Sequence, residues 1–274
     1  MTLLGKQTPT PERYAPELLF AIPRAEGRAR LDLDASALPF RGEDVWHAWE
    51  LSWQGPAGQP RSAVGRFVLP ASSPYLIESK SFKLYLNSLN QSEFATELAL
   101  TETLRQDLSA VAGGPVAVEI LALDDPALVI SELPGTCIDN CTLQQLADEP
   151  TASLLRVEKP AAQPAGQQAE QLLYSHSLRS LCPVTAQPDW ATVLVRCAGS
   201  TVDPASLLTY LHSFRRHQEF HEQCVERMFC DLRQAGVQGA MSVQALYTRR
   251  GGLDINPWRS SERGSAPRLR SARQ

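Results

Sequence analysis

No stretch of this 274-residue chain approaches the roughly 20 consecutive apolar residues that a membrane-spanning helix needs. Positive charge is not in surplus either: 26 Lys and Arg stand against 30 Asp and Glu, a net charge of −4, so the overall balance gives no reason to expect nucleic-acid binding. The opening run Met1-Thr2-Leu3-Leu4-Gly5-Lys6 lacks the apolar stretch of a secretory signal, and a cytoplasmic location is the expectation. No G-x-G-x-x-G follows any strand-like segment, so a Rossmann site is not supported and a nicotinamide cofactor would have to be held in another way. Six cysteines would suffice for disulfides, but without an export signal they are expected to be reduced. Cys137 and Cys141 form a C-x3-C pair with no second pair and no histidine nearby in sequence, which favours a structural role over a metal site. Cys197 closes the strand-like run Ala191–Cys197, where a thiol acts as a small buried apolar group.

What is present is ordinary for a globular protein, with 43% hydrophobic and 20% charged residues, enough for one large domain or two of about 130 residues each. Two similar halves emerge. In the first, Asp44–Trp53 alternates as a strand does, Gly55–Pro60 turns, and Ser62–Leu69 gives a second strand. Helices are expected over Ser79–Leu89 and Glu93–Val111, stopped by Gly113-Gly114-Pro115, with a third strand over Val116–Leu123. In the second half, Gln171–Leu181 and Asp189–Arg196 read as strands joined by the proline-containing turn after Cys182. Asp203-Pro204 is a helix start, an N-cap acceptor followed by proline at the first helical position. Leu207, Leu208, Leu211 and Phe214 then form an apolar stripe. A second helix is expected from about Glu219, burying Val225, Met228, Phe229 and Leu232, and Ser242–Tyr247 is the last strand expected. The expectation is therefore an α+β protein, β-β-α-α-β twice with at most one further strand in each half, with antiparallel sheets and a helix pair on one face of each half. The expected division is a module over 1–147, a linker or surface loop over 148–168, a second module over 169–258, and a disordered basic tail over 259–274, where Arg259, Arg263, Arg268, Arg270 and Arg273 face a single Glu262.

Four groups of residues carry possible chemistry. Cys182 precedes Asp189 by seven positions, with Pro183 and Pro188 forbidding a continuous helix between them. A thiol nucleophile must be partly ionised, and a carboxylate folded back within reach could move its proton, although spacing alone more often marks a structural cysteine. Glu222, after His221, offers the two acceptors that match the donor edge of a guanine-like ring, while the bland alternative is a solvated helix carboxylate beside Glu219 and Glu226. His217, His221 and Cys224, at i, i+4 and i+7 of a continuous helix, would share a face able to hold zinc; packing residues are the alternative. Lys80, Lys83, Arg249 and Arg250 are basic residues beside a helix start or the Gly251-Gly252 pair, where a phosphate would be favoured; a solvated basic face explains them too.

The block Glu78-Ser79-Lys80-Ser81-Phe82-Lys83-Leu84-Tyr85, with Cys182–Trp190, Phe220-His221-Glu222 and Arg249–Trp258, resembles the NADPH-dependent nitrile reductases that convert 7-cyano-7-deazaguanine to its aminomethyl form in queuosine biosynthesis. The likeness is to their longer, two-module form, which implies a tandem duplicated tunnelling fold. It implies that Cys182 attacks the nitrile to give a thioimide and that Asp189 handles protons. Ile77, Glu78, Ser79, His221 and Glu222 would bind the deazaguanine, and Ser79, Lys80, Arg250 and Gly251 would contact NADPH. A homodimer is expected, with no direct nucleic-acid or membrane partner. No catalytic metal is expected, since thiolate addition and hydride transfer need no Lewis acid. Two other classes remain open: a zinc hydrolase resembling type I GTP cyclohydrolase, using His217, His221 and Cys224, and a non-catalytic purine- or pterin-binding protein.

Overall fold

A computed structural model describes residues 11, 13–158 and 170–274. The Met1–Lys6 run and residues 159–168 of the expected linker lie outside the described residues. In chain order the elements begin with β1 (Ala21–Pro23), α1 (Arg24–Ala29), β2 (Arg41–Gln54), β3 (Pro60–Pro70), β4 (Tyr75–Ile77), α2 (Ser79–Ser88), α3 (Glu97–Ala112) and β5 (Ala117–Leu121). They continue with β6 (Thr136–Cys137), β7 (Val157–Glu158), β8 (Glu170–Leu181), β9 (Pro188–Ala198) and β10 (Thr201–Val202). The last are α4 (Pro204–Ser213), α5 (His221–Gln234), β11 (Met241–Tyr247) and β12 (Leu253–Ser260). The fold class is α+β, as expected. Two compact units divide the chain. The first takes residues up to Arg30, Asp44–Val129 and Arg249–Ile255; the second takes Leu31–Glu43, Ile130–Thr248 and Asn256–Gln274.

In the first unit β5, β3 and β2 are successive neighbours, with β3 and β5 antiparallel from Val64 opposite Leu121 to Val68 opposite Ala117. The core gathers Trp46, Leu51, Trp53, Phe67 and Leu69 from the strands, with Phe82, Tyr85, Leu89, Leu100, Leu104 and Leu108 from the helical segments. Leu100, Leu104 and Leu108 recur every four residues, so one stripe of α3 faces this core. The Phe82 ring packs edge-on against Phe67 at 5.1 Å and tilted on Trp46 at 5.4 Å. α3 starts at Glu97, later than expected, because Thr96 caps it: its hydroxyl accepts the Ala99 N–H at 3.1 Å. Ahead of that cap, Phe94 is still held extended by its N–H to the Gln54 carbonyl at 2.9 Å.

In the second unit β11, β9 and β8 are antiparallel neighbours, and β6 adds to β8 as a two-residue parallel strand. The β8–β9 ladder slips register between Ser175 and Leu178. Leu207, Leu208, Leu211, Phe214, Val225, Met228, Phe229 and Leu232 are all buried, as their spacing implies.

The helix pairs of the two units repeat one another in detail. Tyr85 donates to Asp107 at 2.6 Å, and Tyr210 donates to Asp231 at 2.6 Å. The Ser88 hydroxyl donates to the Tyr85 carbonyl at 2.6 Å, and the Ser213 hydroxyl to the Tyr210 carbonyl at 2.6 Å. Acidic N-caps start both first helices: Glu78 accepts the Lys80 and Ser81 N–H groups, and Asp203 accepts the Ser206 N–H. The sequence signal is Ser-x3-Tyr-Leu-x-Ser, once from Ser81 to Ser88 and once from Ser206 to Ser213. Sequence reasoning had passed over it.

Several expectations need correction. The division between units falls at Val129 and Ile130, not within 148–168. The described part of that segment carries a short turn at Ala152–Leu154 and the strand β7, which pairs with β10. β12 is a further strand. Its Pro257 reads as a strand breaker, and the β11–β12 ladder indeed covers only Ser242–Gln244 opposite Trp258–Ser260. The Asn256 side chain accepts the Tyr247 N–H in place of a ladder carbonyl. The tail is not disordered. Arg259 is fully buried, with its guanidinium donating to Glu226 at 2.9 and 3.2 Å. Arg273 donates to the His176 carbonyl at 2.8 Å, and Gln274 to Asn256 at 2.6 Å. Composition suggested disorder because these partners are distant in sequence.

Candidate active site

Cys182 is the first residue of the β8–β9 turn and is half-buried. Its N–H donates to the Gln187 carbonyl and its carbonyl accepts the Ala186 N–H, each at 2.9 Å. Ala186 sits at φ 54°, a left-handed conformation that costs a non-glycine residue about 1 kcal/mol or more. The turn is thus strained beside its only thiol. Asp189 lies opposite Ser180 in the ladder, so these two side chains share one face of the hairpin, and Cys182 begins the turn one residue beyond the end of β8. Asp189 is 3% exposed.

His221 opens α5, and its Nε2 lies 3.3 Å from a carboxylate oxygen of Asp189. Its ring lies flat on Tyr247, 3.7 Å between centroids and 6° between planes. The His221 Nδ1 is buried with no hydrogen-bond partner among the described residues, as a group awaiting a ligand would be. Glu222 follows in the first turn of α5 and is 3% exposed.

The alternative of a zinc face on one helix, with His217, His221 and Cys224, does not match the geometry. α5 starts at His221, so His217 is extended and outside the helix, where it pairs with Glu219 at 2.8 Å. Cys224 is fully buried, and burial, with the nearby Glu219 charge, pushes its thiol well above the ordinary range. Glu219 also takes two N–H bonds from Arg227, at 2.7 and 3.1 Å. Burial alone would raise its pKa, but His217 and Arg227 outweigh it and hold the carboxyl at about 2.

The signature block belongs to the first unit. Ile77 is buried in the core. Glu78 caps α2 with Oε1 2.9 Å from the Lys80 nitrogen and Oε2 2.7 Å from the Ser81 nitrogen. Each oxygen keeps a lone pair for one further donor. Ser79 and Lys80, both half-buried, open α2. Gly251 and Gly252 sit at φ 61° and 76°, and a Cβ on Gly251 would stand 3.4 Å from the Lys83 side chain. Arg249 lies over Trp49 at 5.4 Å. Lys83 and Arg250 thus flank a backbone that glycine leaves bare, a donor set suited to phosphate.

Residues 10–120 match the family described as "Nitrile reductase, 7-cyano-7-deazaguanine-reductase N-term", and residues 188–266 match "QueF-like protein". Over 273 residues, 99% of this chain and 96% of the relative, it is 50% identical to the NADPH-dependent 7-cyano-7-deazaguanine reductase of Chromohalobacter salexigens. Over 261 residues, 95% of this chain and 91% of the relative, it is 51% identical to the protein of the same name from Teredinibacter turnerae. The chain belongs to this nitrile reductase family. The first matched region contains Glu78, Ser79 and Lys80; the second contains Asp189, His221, Glu222, Arg250 and Gly251. Cys182 lies just ahead of the second region.

Four partners escaped sequence reasoning: Tyr247 beneath His221, Arg227 on Glu219, and Arg179 and Arg215, whose guanidinium groups lie 5.8 and 5.9 Å from the Trp190 ring. Only the proximity of Trp190 to Asp189 in sequence gave any signal for the last two.

Proposed function

We propose that this protein reduces the nitrile of 7-cyano-7-deazaguanine to the aminomethyl group with NADPH, in queuosine biosynthesis, through a covalent bond to Cys182. The sulfur adds to the nitrile carbon, the carbon–nitrogen triple bond becomes a double bond, and the nitrogen takes a proton. Asp189 is the proton partner, receiving the thiol proton and returning it to that nitrogen. His221, held by Asp189 at Nε2 and by Tyr247 across its ring, presents Nδ1 to the substrate. Glu222 accepts from the aminopyrimidinone edge, with Glu78 and Ser79 as further substrate contacts.

The observation that carries this reading is the buried Asp189, on the hairpin whose turn begins at Cys182 and 3.3 Å from the imidazole of His221. The donor set of Lys80, Lys83, Arg250 and the bare backbone at Gly251 fits the phosphates of NADPH, with Ser79 beside it. NADPH would supply one hydride per molecule, so two NADPH molecules, bound in succession, would be consumed for each nitrile reduced to the amine. The carbon–sulfur bond breaks between the two transfers, and the released thiolate leaves Cys182 ready for another turnover.

Two coarser points complete the proposal. The assembly is a homodimer, supported by β5 at the end of the strand order and by exposed Leu123 and Val129 near it. The compartment is the cytoplasm, supported by six free thiols. No helix among the described residues is long and apolar enough to cross a membrane.

Intact-mass analysis tests the chemistry. Exposure to the nitrile without NADPH is expected to add the entire mass of the nitrile, because addition expels nothing, and Cys182→Ala should abolish the adduct. An adduct on another cysteine, or full reductase activity in Cys182→Ala, overturns the assignment.

A further inference from the structure

A second group of metal-type ligands forms in the second unit, away from Cys182. Cys137, Asp139 and His176 bring one ligand atom each to within 4.8 Å of one another. His176 stands six residues before Cys182 along β8, or roughly 20 Å of extended strand. In sequence the C-x3-C pair had no histidine nearby; β6 pairing with β8, with Cys137 opposite Tyr174, supplies one from 39 residues further on.

Each of the three is held by other groups. The Asp139 carboxylate accepts the Ser175 hydroxyl at 2.5 Å and the His176 N–H at 3.0 Å. His176 Nδ1 lies 2.9 Å from the Thr192 hydroxyl, which also accepts from Arg273 at 3.1 Å. With the Nδ1 proton donated to Thr192, Nε2 keeps the lone pair that a metal requires. The Tyr174 ring meets His176 edge-on at 5.4 Å. The register slip between Ser175 and Leu178 contains His176, and irregularities of this kind re-aim a side chain out of the ladder. Capping the freed His176 N–H would explain Asp139 alone. It would not explain a thiol and an imidazole converging on the same carboxylate.

We propose that Cys137, Asp139 and His176 form a binding site for zinc or a similar borderline divalent cation, with the fourth position open to water. Thiolate, carboxylate and imidazole are the ligands zinc takes, and bonds of about 2.0–2.3 Å place them about 3.3–3.6 Å apart in a tetrahedron. Small side-chain rotations close the remaining gap. The ion ties the short edge strand β6 to β8, where few apolar contacts do so, and its role is structural.

Cobalt(II) titration of the full chain, kept reduced by a phosphine, tests this. One equivalent should produce a thiolate-to-cobalt charge-transfer band and d–d bands of tetrahedral intensity, both displaced by zinc. Cys137→Ser should abolish the charge-transfer band, and His176→Ala should weaken binding at least tenfold. Asp139→Asn keeps an acceptor for the His176 N–H, so it preserves the local fold and should still weaken binding. The band should survive in Cys182→Ala. Failure of the wild type to give the band at one equivalent, or its persistence in Cys137→Ser, overturns the site.

Discussion

The imidazole of His221 rests face to face on the phenol ring of Tyr247, 3.7 Å apart and 6° from parallel. The stack fixes the plane in which Nε2 meets Asp189. Tyr247→Leu removes this support, and nitrile affinity should fall about 2- to 10-fold, the 0.5–1.5 kcal/mol scale of an aromatic pair. Tyr247→Phe keeps the plate and should bind normally. Calorimetric titration of folded variants measures both.

Glu222 is expected to fix the aminopyrimidinone edge. Glu222→Gln exchanges one acceptor for a donor, and losing a charge-assisted bond of about 1.5–3 kcal/mol should raise Kd roughly 10- to 150-fold. The measurement belongs in the Cys182→Ala background, where binding stays non-covalent. Unchanged affinity there would remove Glu222 from the site.

Arg250→Ala should raise the KM for NADPH about tenfold while leaving adduct formation with the nitrile intact, because the adduct forms before any hydride moves. Loss of both in equal measure would mean that the fold had been disturbed.

Glu219 makes acid stability predictable. Its carboxyl is held at about 2 in the folded chain and returns to about 4.5 on unfolding. A depressed folded value stabilises above the unfolded one, so this contribution, on the order of 1–3 kcal/mol, is complete above pH of about 5.5. It is lost as the pH falls from about 4.5 to 2. Urea midpoints should therefore separate wild type from Glu219→Gln at pH near 7 and draw together towards pH of about 3. A gap that stays constant with pH would refute the coupling to His217 and Arg227.

Much of the fold could be read from local patterns. The acidic N-caps Glu78 and Asp203, the stripe from Leu207 to Phe214 and the strand pairs around both turns are short-range features, and the duplicated β-β-α-α-β order follows from them. What sequence reasoning missed depends on distant partners. Arg259 reads as part of a basic tail until Glu226, 33 residues earlier, is beside it. The supposed zinc face assumed a helix running through His217, but Phe220 occupies the N-cap and breaks the spacing. Around the candidate site, the hairpin that joins Cys182 to Asp189 is legible in the strand alternation and the turn prolines. The approach of His221 to Asp189 is not, because it depends on how α5 packs.

The paired turns carry a consequence of their own. Gly55 donates its N–H to the Gln59 carbonyl at 2.9 Å, as Cys182 does to Gln187, and the Gln54 and Leu181 N–H groups reach the Ser92 and His217 carbonyls alike. The copying that produced two hairpins left a sulfur on only one. On the proposed chemistry, labelling with the nitrile should therefore saturate at a single equivalent per polypeptide, since the other hairpin has no thiol to add to it.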